Sequence, residues 1–498
     1  MFEIRLALVP LLAFALGASV QKASETPIKM PPAAAPVKTA DPLAPFLRET
    51  APVIALTHVI LFDGTGRPPR HDQSVVVAHG SIVSVGPAAQ VRIPPGARVL
   101  DESGKTLLPG LIGMHEHMFY PAAGSGPGRN NLYAELADSA PRLYLAAGIT
   151  TARTAGSVEP YTDLALKQAI DRGQEPGPEL DVTGPYLEGK PSIGLQLHEL
   201  TGADDARALV NYWGDRGATS YKAYMHITPA EMKAAIDAAH ARGAKITGHL
   251  CSIGFTEAAE MGIDNLEHGL VVDTEFYSGK QPGLCPGQAG PITELAKLDV
   301  DGPQVRRLIR TLVEHHVAVT STLAIFESFV PDQPPMSQMD STHAALSSLS
   351  WDDYAMRRSK VAQNATKSHW DQTLAMEMRF EHAFAAAGGL LMAGCDPTGY
   401  GGVLAGYGDQ REMELLVAGG FSPAEAVAIY SSHAAQYLGR ANTIGTLAPG
   451  MQADLLLLDG DFEHDTTAIR RPELVFKKGA GYGSAELQAA VKGITGQR

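Results

Sequence analysis

Pro109-Gly110-Leu111-Ile112-Gly113-Met114-His115-Glu116-His117 is an apolar run that ends in two histidines one residue apart. Residues i and i+2 of a strand face the same way, so both imidazoles point to one side of a strand end. Outward from this stretch the chain keeps one rhythm. From Pro109 to about Gly439, short apolar runs alternate with helical stretches, the pattern of a parallel sheet with crossover helices. Eight candidate strands end near His117, Arg153, Leu187, Met225, Leu250, His268, Ala324 and Asp396. That count predicts an α/β fold of the (β/α)8 TIM-barrel type. The longest insertions follow the sixth and seventh strands, near residues 271–300 and 327–370. Both are expected at the C-terminal mouth, where barrel enzymes build their sites.

On either side the pattern changes to short strands with turn signals. Val53–Phe62, Ser74–Val77, Ser81–Val85 and Arg98–Asp101 precede the barrel region, and Ala453–Asp459 and Leu474–Lys477 follow it. Residues 52–108 and 441–480 are therefore expected to form one small β-sandwich domain from both chain ends, around a barrel domain of residues 109–440. Residues 481–498 are expected to be a C-terminal tail. Residues 1–20 read as a signal peptide: Arg5 precedes the apolar run Leu6–Val20, which is too short to span a bilayer, and small residues Ala15, Gly17, Ala18 and Ser19 offer a cleavage zone. Residues 21–51 read as a flexible Pro/Ala-rich leader. The expectation is an exported protein, periplasmic or secreted, with no stable membrane insertion unless the N-terminal segment stays uncleaved.

The 498 residues are 45% hydrophobic and 19% charged, a globular composition. Forty Lys and Arg against 54 Asp and Glu give a net charge of −14, which repels phosphate backbones and argues against nucleic-acid binding. Three cysteines (Cys251, Cys285, Cys395) exclude a disulfide scaffold and allow at most one bridge.

The chemistry gathers at the strand ends. His115 and His117 close the first strand, Lys222 lies in the fourth, His249 ends the fifth, His268 the sixth and Asp396 the eighth. An isolated strand-end histidine is usually a hydrogen-bonded structural group, and a lone lysine is an ion-pair partner whose ammonium cannot bind a metal. Six such residues at the ends of strands in one barrel are not explained that way. All six are expected to converge on one spot at the barrel mouth.

Three stretches resemble the amidohydrolase superfamily: Pro109–His117 as its opening motif, Ala147-Gly148-Ile149-Thr150-Thr151-Ala152-Arg153 as its second strand, and Gly445–Asp454 as the return to the small β-domain. The resemblance covers roughly residues 52–480. It is strongest to the branch of prolidase-like dipeptidases, ochratoxin-type amidases and imidazolonepropionase. It implies two divalent metal ions, usually zinc, with Mn, Co, Ni or Fe also compatible with such ligands. His115, His117 and Asp396 would hold the inner metal and His249 and His268 the outer one. Lys222 would bridge them as a CO2-derived carbamate. A metal-bridging hydroxide would attack, with Asp396 as general base and then acid. Tyr224, His226 and His198 are candidates for steadying the oxyanion, each with a surface or structural role as the competing reading.

The resulting expectation is a hydrolase of an amide, peptide-like bond in a small molecule such as an N-acyl amino acid or a dipeptide, working alone or as a homo-oligomer. A second reading keeps the site and changes the bond to a cyclic amide, a lactone or a carbamate. A third, of another class, is an inactive structural or interaction protein, disfavoured by the complete ligand set. A one-metal deaminase is disfavoured by Lys222. Some features depart from the family's pattern or read blandly. Gly113-Met114 replaces an Asp-containing sequence. Cys251 and Cys395 read as packing thiols. His315-His316 reads as a solvent-facing pair, Gly399-Tyr400-Gly401-Gly402 as shaping the mouth, and Trp351–Tyr354 as a lid or the start of a helix.

Overall fold

The computed structural model describes residues 41–124, 132–287, 289–331, 333, 336–364, 368–397 and 403–497. The expected signal peptide, most of the leader and the Gly399–Gly402 loop lie outside them.

All eight expected strands are present: β1 (Leu111–Glu116), β2 (Ile149–Thr154), β3 (Thr183–Leu187), β4 (Ser220–Ala223), β5 (Lys245–Gly248), β6 (Asn265–Glu267), β7 (Ala318–Ser321) and β8 (Leu391–Ala393). They pair in parallel in two sheets. β1 and β2 continue into Glu179–Asp181, and β3 to β8 run in unbroken chain order. A parallel bridge between Ser157 and Pro185 links the sheets at one edge. At the other, the Asp396 N–H donates to the His115 carbonyl at 3.0 Å. Helices such as Pro160–Asp171, Ala203–Gly214 and Pro229–Ala241 fill the crossovers. The last starts with a reciprocal cap between Thr228 and Glu231.

β7 stops earlier than the expected Ala324. Leu323–Glu327 is helical instead, because the Glu412 carboxylate accepts both the Ser321 hydroxyl and the Ala324 N–H at the helix start.

The chain ends build one nine-stranded sheet. Its seam is Leu455–Leu458 antiparallel to Thr106–Pro109. Both faces are buried, and the two-residue period sorts them: Leu455 and Leu457 join a core with Ile54, Leu56, Val75, Val77 and Phe476, whereas Leu456 and Leu458 face the barrel-side core. Two expectations about the ends need correction. Leu47–Glu49, placed in the leader, is an edge strand of this sheet, anchored by buried Phe46. The C-terminal tail is ordered as the helix Ser484–Val491, whose Leu487 and Val491 are buried one turn apart. Beyond it, the Thr495 carbonyl accepts the Ser347 N–H beside the helix Ser348–Gln363. That helix contains Trp351–Tyr354, so those residues belong to a helix. Among the described residues no helix is long and apolar enough to cross a membrane.

Candidate metal centre

Five of the predicted ligands meet around Asp396. The His117 Nε2 lies 3.4 Å and the His115 Nε2 3.7 Å from Asp396 Oδ1, and the His268 Nδ1 lies 3.8 Å from Oδ2. The Lys222 Nζ is 3.1 Å from His115 Nε2. The His115 ring is 4.5 Å from that of His268, which is 4.6 Å from His249. Two of these residues sit in unusual backbone: His268 has φ +70° and Asp396 φ +48°. A strand of regular pleat would turn Glu267 and His268 to opposite sides. The left-handed turn at His268 lets both serve one site, a strain typical of functional positions.

The hydrogen bonds fix the tautomers. The Gly156 carbonyl lies 3.1 Å from His117 Nδ1 and can only accept, so Nδ1 carries the proton. His117 Nε2 is then a bare lone pair, buried and without a hydrogen-bond partner, facing a carboxylate oxygen. His268 Nε2 is likewise buried without one. Two lone pairs facing each other repel, and a cation between them removes the repulsion. The donors of His115, His117 and Asp396 fit within 4.8 Å of one another, so these residues suit a metal ion.

The electrostatics agree. Burial lowers all four imidazoles, with His117 at about 4 and His249 at about 3, so they are neutral at pH 7. Burial works to raise Asp396, but the imidazoles of His115, His117 and His268 hold it well below the usual carboxylate range. Burial brings Lys222 down to about 8.

The sequence reading gave no role to the residues that brace this centre. The buried Glu267 carboxylate accepts from His115 Nδ1 and from Arg153, both at 2.7 Å, and also from Thr247. Arg153 Nε donates to the Met114 carbonyl one residue before His115. Thr322 Oγ1 lies 2.7 Å from His268 Nδ1. Glu116 turns away from the site and accepts from the Cys395 N–H and thiol. For Arg153 the available signal was a cation ending the expected second strand; Glu267, which directly precedes His268 in its strand, carried none.

The candidate oxyanion donors separate. Tyr224 packs against His249 and Tyr186, with ring centroids 5.0 and 4.7 Å away. His226 is tied to Glu188 through Nδ1 at 2.9 Å. His198 does not join the site: its half-exposed ring pairs with Asp205 at 3.0 Å. Cys251 is not a free packing thiol. It is bonded to Cys285, and Lys280 donates to the carbonyls of Cys251, Ser252 and Leu284 across the same loop. Cys395 is the buried free thiol. His315-His316 is exposed at a helix end, as expected.

A family model described as the amidohydrolase family matches residues 106–481. A comparison with curated proteins returned no match. Among solved structures, a bottromycin amidohydrolase superposes with TM-score 0.64 at 16% identity, covering 91% of this chain and 93% of its own. A Xaa-Pro dipeptidase with methionine bound in its active site gives 0.63 at 17%, covering 86% and 100%. The A. niger ochratoxinase gives 0.58 at 18%, covering 87% and 96%. Identities this low carry the fold only.

Proposed function

Because the chain belongs to the amidohydrolase family, and so is a metal-dependent hydrolase acting on carbon–nitrogen bonds, we propose that it cleaves a peptide-like amide in a small substrate such as a dipeptide or an N-acyl amino acid. The carrying observation is the bare His117 Nε2 facing Asp396. His115, His117 and Asp396 would hold one divalent ion, and His249 and His268 a second. The nitrogen and oxygen donors suit zinc, and Mn, Co, Ni or Fe are compatible. Lys222, buried and partly neutral near pH 8, would take up CO2 and, as a carbamate, would supply oxygen ligands to the ions. When bound, such ions acidify water and polarise a carbonyl.

The chain's own residues do the rest. Asp396, ionised and facing three imidazoles, takes a proton from the attacking water and hands it to the leaving amine. Glu267 and Arg153 hold His115 in one tautomer and one orientation. Tyr224, whose ring packs beside His249, would donate to the developing oxyanion in this reading. In this reading the two parallel sheets close as one eight-stranded barrel of residues 109–440, with 52–108 and 441–480 as the small β-domain. The Cys251–Cys285 bridge supports export, since disulfides persist in oxidising compartments.

Metal content per chain, measured with a cleavage screen on dipeptides and N-acyl amino acids, tests this. About two metals with amide cleavage is the expected result. Two metals with cleavage only of lactones or cyclic amides overturns the choice of bond. One metal with deamination overturns the Lys222 bridge.

A further inference from the structure

The long segment between β7 and β8 has no task in the proposed chemistry, yet it carries a row of aromatic rings that starts at the metal centre. The Phe326 ring meets the His268 ring edge-on, with centroids 5.7 Å apart. Trp370 stacks on Phe326 at 5.9 Å and on Phe329 at 4.7 Å. Phe326 is buried, whereas Trp370 and Phe329 are only half-buried. Trp370 opens the helix Trp370–Ala386, which runs back to the start of β8, so its ring lies on the side where β7 ends.

Phe329, Trp370 and Val361 line a cavity of about 400 Å³. Lys360, Asn364 and Ser368 complete the lining, which holds no carboxylate among the described residues. Apolar and aromatic walls with a few polar groups, at this volume, are the make-up of a small-molecule pocket. The walls are held in place by the chain itself. Arg358 lies on the helix Ser348–Gln363, which also carries Lys360 and Val361. Its guanidinium donates to the carbonyls of Ser328 and Gln333 and, at 3.1 Å, to that of Val330. Those bonds pin the stretch bearing Phe329 against that helix. The cavity beside His249, in contrast, measures about 10 Å³, room for no more than a water. Half-open rings facing a cavity leave apolar surface in water. A flat apolar group laid against Trp370 covers that surface and lengthens the stack. Two ring contacts separate His268 from Trp370, so such a group reaches the cavity only from several bonds away from the reacting carbonyl.

We propose that the Phe329–Trp370 cavity is a specificity subsite for an aromatic ring of the substrate, carried several bonds from the scissile amide. This rests on the amide-hydrolase reading, and the test separates the two. Phenylbutanoyl-glycine and phenylhexanoyl-glycine are assayed against alkanoyl-glycines of equal chain length, with a reversed set that carries the ring on the amine side. The holoenzyme is compared with Trp370→Leu and Phe329→Leu. The expected result is a kcat/KM at least about fivefold higher for the ring-bearing member of one set, with that ratio falling toward one in both variants. Equal cleavage of ring-bearing and alkyl substrates in both sets overturns the subsite and leaves the amide reading intact. So does a loss in the variants shared equally by the two kinds of substrate. If no substrate is cleaved, the amide reading fails and the subsite is judged by melting temperature with phenylbutanoate against hexanoate. A rise with phenylbutanoate that disappears in Phe329→Leu supports it. Equal rises with the two acids, or no rise with either, overturn it.

Discussion

Glu267 and His115 are joined by a 2.7 Å hydrogen bond that ties the sixth parallel strand to the first, while the other Glu267 oxygen binds Arg153. Burial works to raise this carboxyl, yet Arg153 and His115 hold it well below the usual range. The orientation of a metal-facing imidazole thus depends on an ion pair behind it. Glu267→Gln is expected to weaken metal affinity about 10–100-fold, because partners of ligating histidines fix tautomer and ring position. It also leaves Arg153 buried with half its partner, so about 3–5 kcal/mol of stability is expected to go with it. Chelator competition and a denaturant melt read the two effects separately. Unchanged metal affinity would remove Glu267 from the positioning role.

Asp396→Asn isolates proton transfer. Asn keeps an oxygen donor but has no basic carboxylate, so metal content is expected to stay while kcat falls about 10²–10⁴-fold. Mass spectrometry of bound metal and steady-state kinetics on one preparation check both halves. Near-normal turnover would show that the base lies elsewhere.

The strand-end residues were legible because six His, Lys and Asp side chains fall at or near the ends of successive candidate strands, and the eight-strand rhythm around them set the fold. Glu267 was not legible. It precedes His268, and a regular strand would send the two side chains to opposite faces; only the φ of +70° at His268 lets both serve the centre. His198 misled for the complementary reason. It lies in a loop, where sequence spacing says nothing about direction, and Asp205 captures its ring. The ordered C-terminal helix was missed because its apolar stripe is two residues deep, Leu487 and Val491, and reads as a helix only once packed.

The Cys251–Cys285 bridge closes a separation of 34 residues and begins two residues after His249. Cross-linking a loop of that length stabilises by about 4 kcal/mol in the chain-entropy account. Cys285→Ser is therefore expected to lower the melting temperature and, by loosening the segment that carries His249, to lower occupancy of the second metal before the first. Metal content of oxidised, reduced and Cys285→Ser protein checks this. Equal loss of both metals would deny the disulfide a local effect on His249.

The last prediction concerns pH and the carboxyls away from the metal. Asp163 is raised to about 7 by burial and Glu135 to about 9 by burial and by the charges of Asp163 and Glu159. In the unfolded chain both titrate near 4. Between those values the folded protein holds protons that the unfolded chain has released, so stability falls as pH rises. For Asp163 the window runs from about 4 to about 7, and for Glu135 it extends to about 9. Wild-type protein is expected to lose stability steadily from pH 5 to pH 8. Asp163→Asn removes its share of that slope, roughly 2–4 kcal/mol across the window. The substitution also buries an amide in place of the carboxyl, but that cost does not vary with pH. The slope difference between the two proteins, and not the offset, is the quantity to measure, by denaturant melts of metal-free protein at several pH values. Parallel curves would mean that Asp163 is ionised in the fold as it is in the unfolded chain.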